Sequence, residues 1–123
     1  MVHKVLIVDD EPNIVISLEF LMKQQGYETR SVGDGLLAVD EAVAFRPDLV
    51  LLDVSLPGQD GFDACRDLRT KLGPDLKIVM LTARGRETEA EKGLALGANS
   101  YVTKPFSTRD LVAHVKQLIG GAG

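Results

Sequence analysis

A single cysteine, two histidines and no cluster of lysine and arginine leave this chain of 123 residues without several common chemical signatures. Cys65 cannot make an internal disulfide, so the fold has no covalent framework and a reducing cytoplasm is the expected setting. His3 and His114 join no group of His and Cys ligands, which argues against zinc. With 14 Lys and Arg against 18 Asp and Glu, the net charge is −4, and nothing marks an electrostatic footprint for nucleic acid. Direct nucleic-acid binding is therefore not expected. No apolar run approaches the ~18 residues that suggest a membrane span. The start Met1-Val2-His3-Lys4-Val5 lacks the charged and then long apolar regions of a signal peptide. No membrane association is expected either.

What remains is the material of one buried core, with 45% hydrophobic and 26% charged residues. The length suits one domain over residues 1–119, with Gly120-Gly121-Ala122-Gly123 as a flexible tail or the start of a linker. Val5 to Val8, Leu49 to Leu52 and Ile78 to Leu81 are short apolar runs without polar alternation, as in parallel strands covered on both faces. Tyr27 to Val32, which includes Glu28 and Arg30, reads as a half-exposed strand near a sheet edge. Tyr101 to Thr103 is a short fifth candidate.

Helical patterns lie between these runs. Ile14, Leu18, Leu21 and Met22 form one stripe from Pro12 to Gln25, stopped by Gly26. Leu36 to Phe45 sets Ala38, Val39, Ala42, Val43 and Phe45 on one side before Pro47. Phe62, Cys65 and Leu68 repeat at helical spacing after Gly61, and Leu111, Val115, Leu118 and Ile119 follow Ser107. Ser107 and Asp110 have capping-box spacing. Glu87 to Leu96 offers a thin apolar face of Ala90, Gly93 and Leu94, so a short and less stable fourth helix is expected before Gly97. The alternation predicts an α/β fold, a doubly wound parallel sheet with helices on both faces.

Each apolar run ends on a chemically loaded side chain: Asp9 with Asp10, Asp53, Thr82 and Lys104. In a parallel sheet these ends share one rim, where ligand sites of open α/β sheets form. Neighbouring carboxylates repel by ~4 kcal/mol at an effective dielectric of 20, and a hard cation with oxygen ligands is the simplest compensation. Mg²⁺ suits Asp9, Asp10 and Asp53. A metal-bound carboxylate is also a nucleophile toward phosphorus, with Asp53 the natural candidate and Lys104 and Thr82 able to contact the phosphoryl oxygens. Singly, each of these residues has a plainer reading, as a cap, a strand end or a solvated lysine.

The chain resembles the receiver domains of bacterial two-component response regulators over essentially its whole length. The resemblance rests on Val8-Asp9-Asp10-Glu11, Pro47 to Asp53, Leu56-Pro57 through Asp60-Gly61, Leu81-Thr82-Ala83, and Gly97 to Phe106. It implies a flavodoxin-like sheet of order 2-1-3-4-5 flanked by five helices, an arrangement for which a member of this family is the standard example. It further implies that Asp53 takes a phosphoryl group from a phosphohistidine on a sensor histidine kinase or histidine phosphotransfer protein. Mg²⁺ or Mn²⁺ would be held by Asp10 directly, by Asp9 mainly through water, by Asp53, and by the backbone carbonyl of Ser55. Lys104 would pair with the phosphoryl group, and Lys104-Pro105 would be cis. Thr82 and Tyr101 would carry the switch to the face formed by the fourth helix, fifth strand and fifth helix, where a downstream effector protein or domain is controlled. Ser55 and Arg84 would lie at positions that tune phosphoryl lifetime. The expected state is a monomer, with dimerisation on phosphorylation as an option.

Rival readings fit less well. An aspartyl-phosphate phosphatase commonly needs a second Asp two residues after the nucleophile, where this chain has Ser55. A flavin phosphate would be repelled by Asp9-Asp10-Glu11. A phosphorylation-independent interaction module would not need the full acidic set. Of the other reactive residues, Cys65 reads as a packing thiol, His3 and His114 as solvated or structural, and Arg84-Gly85-Arg86 as a solvated turn.

Overall fold

A computed structural model of the chain describes residues 2–54, 61–83 and 87–120. The strands are β1 (Lys4–Val8), β2 (Glu28–Val32), β3 (Leu49–Asp53), β4 (Lys77–Ala83) and β5 (Ser100–Lys104). They alternate with the helices α1 (Pro12–Gln24), α2 (Gly35–Phe45), α3 (Gly61–Leu72), α4 (Glu87–Ala95) and α5 (Thr108–Gly120). All strand pairs are parallel, and the sheet order is β2-β1-β3-β4-β5.

Burial explains the order. β1, β3 and β4 lack polar alternation, and their apolar runs are fully buried as the three inner strands. Successive side chains leave opposite faces of the sheet. Leu6, Val8, Val50, Leu52, Ile78 and Met80 pack with Ala38, Ala42, Phe45, Ala64, Cys65 and Leu68, joining the sheet to α2 and α3. Val5, Ile7, Leu49, Leu51, Val79 and Leu81 pack with Leu18, Met22, Leu111 and Val115 of α1 and α5. The polar β2 and β5 take the edges.

The helix ends follow local chemistry. Pro12 starts α1, and Asp34 caps α2 by accepting the Leu36 N–H at 2.8 Å. The Asp110 N–H reaches Ser107 Oγ at 3.3 Å, as the Ser107 spacing predicts. Gly97 (φ +119°) leaves α4 in a conformation that a side chain would strain.

Two differences from the sequence reading are physical. Val43 is 40% exposed, because Ala38, Ala42 and Phe45 already fill the face that α2 turns to the core. Leu94 is 39% exposed, so the small residues Ala90 and Gly93 are the buried ones among the described residues of α4. On α1 the stripe is as predicted, with Ile16 and Phe20 outside it and facing solvent. No helix among the described residues is long and apolar enough to cross a membrane. Helix α5 includes Gly120, one residue beyond the expected boundary at 119, and residues 121–123 lie outside the described residues.

Candidate functional site

The carboxyl ends of β1, β3, β4 and β5 bring their terminal side chains to one rim, as the apolar runs predict. Asp9 follows β1 and is 1% exposed. One of its oxygens accepts the Glu11 N–H at 2.9 Å and the other accepts Lys104 Nζ at 3.0 Å, so its buried charge is hydrogen-bonded on both sides. Asp53 ends β3 at 6% exposure, while Asp10 faces outward. One carboxylate oxygen from each of Asp9, Asp10 and Asp53 lies within 4.8 Å of the others.

Lys104, at the end of β5, reaches across the rim. Its Nζ lies 3.0 Å from Asp9 Oδ2, 3.4 Å from Glu11 Oε1 and 3.6 Å from Asp53 Oδ2. Burial by itself would lower the lysine pKa, but the Asp9 hydrogen bond and the charges of Asp53, Asp9 and Glu11 outweigh it and hold Lys104 above the ordinary lysine range. Lys104 is thus a fixed cation at neutral pH. The Lys104-Pro105 peptide is cis. Asp10, Glu11, Asp53, Val54, Leu81 and Lys104 help line a cavity of about 340 Å³ beside these groups.

Thr82 occupies the same rim at 2% exposure, and its Oγ1 has no hydrogen-bond partner among the described residues. Tyr101 stands apart from this cluster, 38% exposed on β5. Ser55 and Arg84-Gly85-Arg86, along with Leu56-Pro57 and Asp60 of the motif, lie outside the described residues.

Sequence reasoning missed three contributors. Glu11 supplies a carboxylate to Lys104 beside those of Asp9 and Asp53, signalled only by its place in Asp9-Asp10-Glu11. Glu89 of α4 lines the cavity, and nothing in the pattern of α4 marks it. Gly61 begins α3 against the Asp53 and Val54 backbone, where a Cβ would lie 2.4 Å from the Asp53 carbonyl oxygen. That approach is open to glycine alone.

The remaining reactive residues have structural places. Cys65 is fully buried, and burial raises its thiol pKa against the opposing charge of Arg69. His3 pairs with Asp48 at 3.5 Å, and His114 Nε2 contacts Ser100 Oγ.

The profile of the response regulator receiver domain family matches residues 5–116 of this chain. Among solved structures, a candidate response regulator from Chloroflexus aurantiacus is similar, with 37% identity and a TM-score of 0.92, covering 98% of this chain and 99% of that one. The receiver domain of a sensor histidine kinase from Pseudomonas aeruginosa, with a magnesium ion coordinated in its active-site cleft, has 33% identity and a TM-score of 0.87 over 98% and 99% of the two chains. The BeF3-activated N-terminal receiver domain of RstA from Klebsiella pneumoniae has 29% identity and a TM-score of 0.88 over 95% and 98%.

Proposed function

The chain belongs to the response regulator receiver domain family, and on that premise we propose that Asp53 is its phosphoacceptor, served by a sensor histidine kinase or histidine phosphotransfer protein. An Asp53 carboxylate oxygen attacks the phosphorus of the donor phosphohistidine. The phosphorus–nitrogen bond breaks and its electron pair returns to the imidazole. The domain acts on itself and passes on a change of shape, turning over no substrate of its own.

One observation carries this reading: oxygens of Asp9, Asp10 and Asp53 gather within 4.8 Å, and Lys104 Nζ stands 3.6 Å from Asp53. The all-oxygen donor set fits Mg²⁺, or Mn²⁺, better than a softer ion. Asp10, Asp53 and the Ser55 backbone carbonyl would hold the ion, with Asp9 acting mainly through water. When bound, it supplies positive charge to phosphoryl oxygens. Lys104 stands ready to pair with those oxygens, and its bonds to Asp9 and Glu11 aim it across the rim.

Thr82 carries the signal outward. Its hydroxyl, buried without a partner among the described residues, gains a hydrogen bond when phosphoryl oxygens arrive beside it. Its movement leaves room for Tyr101 to turn in from the surface, which reshapes the face of α4, β5 and α5 that meets an effector protein or domain. The domain works in the cytoplasm as a monomer, and dimerisation on phosphorylation would use the same face.

Intact mass after incubation with Mg²⁺ and acetyl phosphate or a phosphorylated kinase tests the assignment. Wild type is expected to gain one phosphoryl group and Asp53→Asn none. An adduct that persists in Asp53→Asn would overturn it.

A further inference from the structure

Lys104 reaches Asp53 only if β5 lies in register against β4, yet β5 is poorly equipped to set its own register. It is an edge strand with no fully buried residue, and Tyr101 faces solvent. Register is weakly specified where an apolar pattern does not enforce it. A slip of two residues keeps the same faces in and out while moving Lys104 by ~6.6 Å at the usual rise per residue. That exceeds every contact Lys104 makes on the rim.

The pin lies at the opposite end of the strand. The Asn99 N–H donates to Ile78 O at 2.8 Å, and the Ile78 N–H donates to Asn99 Oδ1 at 2.8 Å, so the residue before β5 grips β4 from both backbone and side chain. Asn99 is in turn held by Arg69 near the end of α3. Arg69 Nη2 donates to Asn99 Oδ1 at 2.9 Å and to Gly97 O at 2.7 Å, and Nε donates to Gly97 O at 3.1 Å. Nη1 donates to Gly73 O at 2.8 Å and Leu76 O at 2.6 Å. All the N–H donors of the guanidinium are engaged, in a fork that a lysine ammonium cannot reproduce. The Arg69 stem also packs where a Gly97 side chain would stand, 3.1 Å from its Cβ position.

We propose that Arg69, acting through Asn99 and Gly97, is a positioning residue that fixes the register of edge strand β5 and thereby the reach of Lys104 to Asp53. The proposal rests on the reading of Lys104 as the partner of the phosphoryl group.

The test is a double-mutant cycle on Asp53 phosphorylation by acetyl phosphate in Mg²⁺, with Arg69→Met, Lys104→Met and the double variant. Methionine keeps a long apolar stem but removes every donor. Arg69→Met is expected to slow phosphorylation about tenfold or more, the scale of a small misplacement of a reacting group. Added to Lys104→Met, it is expected to slow it no further, because a misplaced lysine and a missing one are the same loss. Cross-strand NOEs between Thr82 and Thr103 are expected in wild type and lost in Arg69→Met. Full additivity in the cycle, or unchanged NOEs in Arg69→Met, overturns the proposal. A slow Lys104→Met beside a wild-type rate for Arg69→Met overturns the positioning role alone. A wild-type rate for Lys104→Met overturns the reading of Lys104 and the proposal with it. If Arg69→Met fails to melt cooperatively, Arg69→Lys carries the same comparison.

Discussion

Among the described residues the buried Thr82 hydroxyl has no partner, and a donor or acceptor desolvated in this way costs stability on the order of 1–3 kcal/mol. Thr82→Val keeps the branched shape and removes that cost. It is expected to raise the unfolding free energy by about 1 kcal/mol, read as a higher urea midpoint with no change in slope, while phosphorylation no longer alters Tyr101 fluorescence. A lower midpoint would mean that the hydroxyl is satisfied at rest. Cys65 gives a pH effect. Its folded pKa is raised, so below the unfolded value of about 8.5 both states keep the proton and its contribution is fully present. As pH rises from there through the folded value, the unfolded chain ionises first and that stability is lost. Between pH 8 and 10, wild type is therefore expected to lose stability more steeply than Cys65→Ala, and the native thiol is expected to resist alkylation until the chain unfolds.

At the scale of elements, α3 is fixed at both ends by features of opposite kind. Gly61 admits the Asp53 and Val54 backbone because it lacks a side chain, and Arg69 spends its whole side chain on carbonyl and amide oxygens. Gly61→Ala is expected to cost about 3 kcal/mol in denaturant unfolding, the upper part of the range for overpacking, since the clash is with backbone that cannot rotate away. A loss below ~0.5 kcal/mol, the usual range for surface changes, would show that the loop relaxes freely. By contrast α4, resting on Ala90 and Gly93, is expected to exchange its amide hydrogens sooner than α1, which buries Leu18 and Met22. These elements also show what a sequence discloses. Asp9, Asp53, Thr82 and Lys104 were legible because each ends an apolar run, and strand ends in a parallel sheet share a rim. Arg69 was not, because its acceptors Gly97 and Asn99 lie 28 and 30 residues away and no local period connects them. Val43 and Leu94 misled because helical spacing marks a face without saying how wide a strip of it the sheet covers.

Across the whole molecule, the gathered carboxylates make stability depend on cation concentration. Folding assembles Asp9, Asp10 and Asp53, and an ion that binds only this arrangement stabilises it by about 2.7 kcal/mol at one hundred times its Kd. Wild type is expected to melt at a higher temperature in Mg²⁺ than in EDTA. Asp10→Asn, which relieves repulsion at the rim, is expected to be the more stable of the two in EDTA and to respond little to Mg²⁺. Equal Mg²⁺ responses in the two proteins would remove Asp10 from the ligand set.

The placement of β1 between β2 and β3 also governs how the chain first folds. Val5 pairs with Thr29 on one side and with Leu49 on the other. During synthesis, β1, α1 and β2 leave the ribosome together. The second edge of β1, an apolar Val-Leu-Ile-Val ribbon with its hydrogen-bonding groups bare, waits for a partner made some forty residues later. The nascent chain is thus expected to carry this apolar edge unpaired until β3 has cleared the ribosome, an interval in which a chaperone would find it bare.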